Sequence, residues 1–287
     1  MNKLLKILIF IITTSFISSH LYASEVVRLE NKIFDNSIYK PSKNEILELL
    51  KKEGNNKYWY GLYLGNEKIG WAAIESRTYQ SDKFNQPVFE MDGKFNLSVK
   101  VSGNDGTSFL SSTKFSLNEI YQAKAPFKLI EHHEKYQIDE TESSILAEAQ
   151  GLNFKIEYKD NEEKNSTEIL LENLDYSLYD TLATYAWYAN DTKKINDVVS
   201  NIEFSFQDLK YILTQNTIEE ITKKKVSGVD FTYFKVNSLD RGEIEEENLS
   251  FQSLIDQDGL EIKFFIGDFE LRLETEKNAK NTELVSD

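Results

Sequence analysis

The chain has 287 residues, with 33 Lys and Arg against 48 Asp and Glu, for a formal net charge of −15. An acidic surface of this kind repels nucleic acid and anionic lipid headgroups and excludes both as ready partners. There is no cysteine, so thiol chemistry and disulfide staples are ruled out, and stability must come from burying 18 Phe, 15 Tyr and 3 Trp.

The first 23 residues read as a secretory signal peptide. Lys3 and Lys6 precede an apolar run from Ile7 to Ile12, more polar onward to Ile17, and Leu21-Tyr22-Ala23 supplies a small residue before Ser24. Thr13, Thr14, Ser15, Ser18 and Ser19 interrupt the run, which falls short of the ~20 apolar residues of a spanning helix. Cleavage after Ala23 is expected, placing the protein in the periplasm or outside the cell. No later segment is apolar enough to span a bilayer. Residues 24–56 read as a leader and a helix, 57–175 as a first β-rich half, 176–280 as a helix plus a second β-rich half, and 281–287 as a disordered tail.

In chain order, Ser42 and Glu45 have capping-box spacing and open a helix whose Ile46, Leu49 and Leu50 form one apolar stripe. Gly54 is expected to end it in the left-handed conformation. Lys57–Leu64 and Lys68–Ser76 flank Gly65-Asn66-Glu67 as a hairpin. Over residues 89–101, Phe89, Met91, Phe95, Leu97, Val99 and Val101 alternate with polar neighbours, which puts one strand face on a core. Gly93, inside that run, suggests a bend or bulge. Residues 107–117, 127–138, 144–149, 152–158 and 167–171 read as further strands. The period then changes: Leu178, Leu182, Tyr185, Ala186 and Ala189 recur at helical spacing behind an N-cap at Ser177, three residues before Asp180. Strands return around Ile202–Phe206, 218–226, 229–236, 251–255, 260–266 and 269–273, and a short helix over 275–280. Strands this long predict a mainly β (α+β) fold of large curved antiparallel sheets or half-open β-barrels, each with a packed helix.

The chemistry is sparse. His132 and His133 adjoin in Glu131-His132-His133-Glu134, where each strand face offers one imidazole and one carboxylate, fewer ligands than a zinc site takes. No Gly-x-Ser-x-Gly elbow and no phosphate loop is present. Glu243 and Glu245–Glu247 form a charge run that reads as solvated. Asp256-x-Asp258-Gly259 reads as a β-turn, because it lacks the later ligands of a calcium loop. No catalytic residue, cofactor or metal site is assigned. The tentative ligand-facing residues are Trp59, Tyr63 and Trp71, which place aromatic bulk on the hairpin face opposite Tyr58, Tyr60 and Leu62. Core packing against the helix at Ser42–Glu53 is the alternative for that hairpin.

The run Tyr60-Gly61-Leu62-Tyr63-Leu64-Gly65-Asn66-Glu67-Lys68-Ile69-Gly70-Trp71 resembles the opening of the β-rich accessory region ahead of transglutaminase-like domains in secreted bacterial proteins. The helix around Ser177–Ala189 and the ending Gly267-Asp268-Phe269 onward are similar in style. The enzyme domain's Cys-His-Asp constellation has no counterpart here, so the resemblance implies an accessory module without that activity. The general shape is also similar to half-open barrels that carry lipids or lipoproteins in the periplasm. The expected function is therefore a non-catalytic periplasmic binding or interaction module of the cell envelope, accessory to a separate transglutaminase-like enzyme. The alternatives are a carrier of a lipid or other apolar ligand and, third, a carboxylate-based hydrolase. The partner is expected to be a protein or an apolar small molecule, not nucleic acid.

Overall fold

The computed structural model describes residues 26–28, 38–102, 108–151, 153–160, 165–189, 193–226, 229–241 and 249–281. The expected signal peptide, the acidic run at 243–247 and residues 282–287 of the expected tail lie outside the described residues.

The first half comprises β1 (Val26–Arg28), α1 (Lys43–Glu53), β2 (Asn55–Leu64), β3 (Glu67–Ser81), β4 (Gln86–Ser102), β5 (Ser108–Gln122), β6 (Leu129–Ile138), β7 (Thr141–Gln150), β8 (Asn153–Asp160) and β9 (Asn165–Glu172). The second comprises α2 (Leu178–Thr181), α3 (Ala183–Ala189), β10 (Val198–Ser205), β11 (Lys210–Val226), β12 (Val229–Arg241), β13 (Leu249–Asp256), β14 (Glu261–Ile266), β15 (Phe269–Glu274) and α4 (Glu276–Lys280). All strands belong to one 15-stranded sheet, ordered β1-β9-β8-β7-β6-β5-β4-β3-β2-β15-β14-β13-β12-β11-β10. Two antiparallel meanders thus run outward from a shared centre, where β2 pairs with β15 through Tyr60↔Leu273 and Leu62↔Leu271.

The sheet curls until its far ends meet without closing into a barrel. Phe204 and Phe206, from the last strand in the order and the turn after it, share a core with Phe154, Ile156, Ile169 and Leu171 of β8 and β9. The Tyr158 hydroxyl donates to the Phe206 carbonyl at 2.7 Å across that seam. The N-terminal segment touches both margins: β1 pairs in parallel with β9, and Ile38 bridges to Ser200 on β10.

Local chemistry explains most elements. The capping box forms, with Ser42 N donating to Glu45 Oε2 at 2.8 Å and Glu45 N to Ser42 Oγ at 3.3 Å. Gly54 does end α1, but at φ −68°, not in the left-handed region. Its role is close approach: a Cβ there would lie 2.4 Å from the Leu50 carbonyl oxygen and 2.6 Å from Thr78 Oγ1. Gly93 makes no bulge, since β4 stays in register with β3 and β5 through it. The expected helix from Ser177 splits at Leu182 into α2 and α3. Thr181 Oγ1 bonds back to the Ser177 carbonyl at 3.3 Å, a contact that bends helices. The Asp256 turn forms as read, with Asp256 Oδ1 accepting from the Asp258 and Leu260 amides, each at 2.9 Å.

Candidate functional site

Alternation along β5 and β6 aims Leu117, Glu119 and Tyr121, and His132, Glu134 and Tyr136, at the interior, and the register sets Glu119 opposite His132. His132, Glu119 and Glu134 are 0%, 1% and 3% exposed. Glu119 Oε1 lies 2.9 Å from His132 Nδ1 in hydrogen-bond geometry. Glu134 Oε1 lies 2.9 Å from Nε2, a close contact without hydrogen-bond geometry. Each carboxylate also accepts from a phenol: the Tyr121 hydroxyl donates to Glu119 Oε2 at 2.8 Å, and the Tyr136 hydroxyl donates to Glu134.

The network continues toward the other half of the sheet. Tyr121 and Thr181 share a hydrogen bond of 2.9 Å, and Thr181 bonds to the Tyr176 hydroxyl at 3.1 Å. Burial first, and then the Glu119 charge, pushes the Tyr121 and Tyr176 hydroxyls well above the ordinary tyrosine range, so both keep their protons. The His132 ring stacks on Phe206 at 4.1 Å with 21° between planes. The knot therefore fastens β5 and β6 to α2 and to the turn after β10.

The inner face of the second half carries a different polar row. Asn201 Nδ2 donates to Glu203 at 3.1 Å, Asn216 Nδ2 to Asn201 at 3.0 Å, Ser238 Oγ to Asn216 at 2.7 Å, and Thr214 Oγ1 to Asp240 at 2.7 Å. Glu261, 3% exposed, accepts from the Ser253 hydroxyl. Burial raises its carboxyl from the ordinary 4.5 to about 7. Beside it a cavity of about 10 Å³ is lined by Tyr60, Phe95, Glu261, Phe264 and Leu271. That is room for about one water and none for an acyl chain.

Trp59, Tyr63 and Trp71 lie together on the opposite face of the sheet, half-buried, away from the core that Tyr60, Leu62 and Ala72 enter. The Trp59 and Trp71 rings sit 5.5 Å apart. Lys280 of α4 lies over Trp59 at 4.5 Å, and Arg272 over Tyr63 at 4.0 Å. The Glu274 carboxylate nests against Gly61, where a Cβ would lie 2.7 Å from it, and accepts from Tyr63 at 2.5 Å and Lys68 at 2.7 Å. Lys68 also donates to the Asn278 carbonyl, and Ala279 is fully buried. This aromatic face is thus the seat of the C-terminal helix, whereas α1 sends Ile46, Leu49 and Leu50 into the core and meets the hairpin through Glu53, which accepts from the Tyr58 hydroxyl at 2.9 Å.

Sequence reasoning paired His132 with Glu134 on one face of a strand, and missed Glu119, Tyr121, Tyr176 and Thr181. The only signal for Glu119 was a charged residue at an inward position of an alternating strand. His133 faces outward, where burial lowers its ring below the usual histidine range, and Glu131 pairs with Lys83. Among the described residues no three His, Cys, Asp or Glu groups converge as metal ligands. Nor is any described helix long and apolar enough to cross a membrane.

No protein-family model matches the chain, and no curated protein matches it. Among solved structures it is similar to a β-barrel-like protein of a domain of unknown function, DUF1849, from Brucella abortus. The identity is 11%, the TM-score is 0.47, and the match covers 76% of this chain and 94% of that one.

Proposed function

We propose that this protein is an exported, non-catalytic interaction module of the cell envelope that works through its outer surface and strand edges. The observation that carries this reading is the sealing of the buried acid–imidazole constellation: Glu119, His132 and Glu134 are at most 3% exposed, and the His132 ring is stacked on Phe206. A general acid or base must come within hydrogen-bond reach of its substrate, and these groups are committed to one another. The cavity beside Tyr60 and Phe264 is too small for an acyl chain, so that part of the core lends a lipid carrier no support. The partner we propose is a separate envelope enzyme of the transglutaminase-like kind, a choice that rests on the Tyr60–Trp71 run alone.

Native mass spectrometry of the protein purified from its own envelope fraction tests this. The expected species begins at Ser24, carries no small molecule and associates with a second polypeptide. A co-purifying lipid, or a chain retaining residues 1–23, would overturn the reading.

A further inference from the structure

One margin of the sheet stays open well inside the strand order. β10 pairs with β11 only as far as Val198↔Thr217, and Asn196 and Asp197 then close the backbone of Ile218 at 2.8 and 3.0 Å. β11 itself continues to Val226, held on its other side by β12. Past Ile218, the β10-facing edge of β11 from Glu219 to Lys225 has no backbone partner among the described residues. Seven residues at ~3.4 Å each give an edge of ~24 Å, enough for a strand of ordinary length. β12 overhangs as well, because β13 pairs with it only from Tyr233 onward. The result is a two-stranded arm with Phe231 and Tyr233 stacked at 6.4 Å on one face.

The arm's charge departs from that of the chain. Lys223, Lys224 and Lys225 are consecutive and exposed, and among the described residues none makes an ion pair. The acids nearby are Glu219, which Lys235 holds at 3.2 Å, Glu220, which accepts from Thr222, and Asp230 opposite Lys225. Ile195 and Val198, 55% and 41% exposed, mark the foot of the edge. Lysines along an open edge repel a second copy bearing the same lysines, so self-pairing is disfavoured. They attract an acidic strand, whose backbone would complete the edge in line with β10.

We propose that the overhanging edge of β11, Glu219–Lys225, is a strand-addition site for an extended, acidic segment of another polypeptide. This rests on the reading of the protein as an interaction module and names the surface and the partner's chemistry. Fluorescence anisotropy with a labelled twelve-residue peptide alternating glutamate with valine and threonine tests it on the purified protein. The triple variant Lys223→Glu, Lys224→Glu, Lys225→Glu should weaken binding at least tenfold, while the triple Lys→Arg variant binds as wild type. Methylating alternate backbone nitrogens of the peptide should abolish binding, and hydrogen exchange should slow at 219–225 when the unmodified peptide is bound. Circular dichroism of the charge-reversed variant keeps loss of the site distinct from loss of the fold. The proposal is overturned if the peptide does not bind, if the methylated or a lysine-rich peptide binds equally well, or if charge reversal has no effect. Binding to phosphatidylglycerol vesicles in place of the peptide would also overturn it. Failure here with a partner still present in the native mass spectrum would sink this surface and leave the broader function standing.

Discussion

The acid–imidazole knot and the Glu261 site bury their carboxyls by different means. In the first, Glu119 and Glu134 flank an imidazole and each takes a phenol hydroxyl, so every carboxylate is met by at least two polar groups. In the second, Glu261 has one donor, Ser253, and burial holds it toward the neutral acid. A buried carboxyl can be answered by partners or by a proton, and the two answers carry different liabilities. The paired one fails when a partner is deleted, and the protonated one fails when pH rises.

The comparison breaks most sharply at His132. His132→Ala leaves two acids facing each other without the ring between them and removes the stack on Phe206. A loss of about 3–5 kcal/mol is expected in denaturant unfolding. Adding Glu119→Gln and Glu134→Gln should recover part of that loss, because the stranded charges go with the carboxylates. The protonated half is tested by pH. The folded carboxyl of Glu261 titrates at about 7 against an ordinary 4.5, so the native state holds a proton that the unfolded chain has released. Its contribution is complete below about 4.5 and is lost as pH rises through about 7, on the order of 3 kcal/mol in all. Unfolding free energies from pH 4.5 to 8 should show that decline in the wild type and lack it in Glu261→Gln.

Smaller effects sharpen the same contrast away from the buried acids. Gly54→Ala forces a methyl group against the Leu50 carbonyl and Thr78, and about 1–3 kcal/mol should be lost in thermal or denaturant unfolding. Ser42→Ala removes one cap bond at the start of α1, a loss of about 1 kcal/mol by the same measurement.

Legibility in the sequence followed the apolar side chains. The alternation of Phe89 to Leu97 placed β4, and Ser42 with Glu45 placed α1, because each signal is local and covalently spaced. The start of β11 was not legible. Its inward residues there are Thr214 and Asn216, both at most 1% exposed, so the buried face reads as polar and the strand begins at Lys210, well before Ile218. The acid–imidazole knot was half legible: His132 and Glu134 share a strand face by spacing, but Glu119 comes from the neighbouring strand. Alternation puts Trp59 and Tyr63 on one face of the hairpin, yet nothing in the hairpin says that a helix more than two hundred residues later covers that face.

The amino-acid sequence by itself determined that this chain folds into long antiparallel strands with few helices, because period-two burial and turn residues act over neighbours in the chain. Only the tertiary structure decided that both meanders share one sheet through β2 and β15, that its ends curl together at Phe206, and that β11 outruns β10. Those outcomes depend on which strand edges find each other, and backbone hydrogen bonds pair edges without regard to side-chain identity.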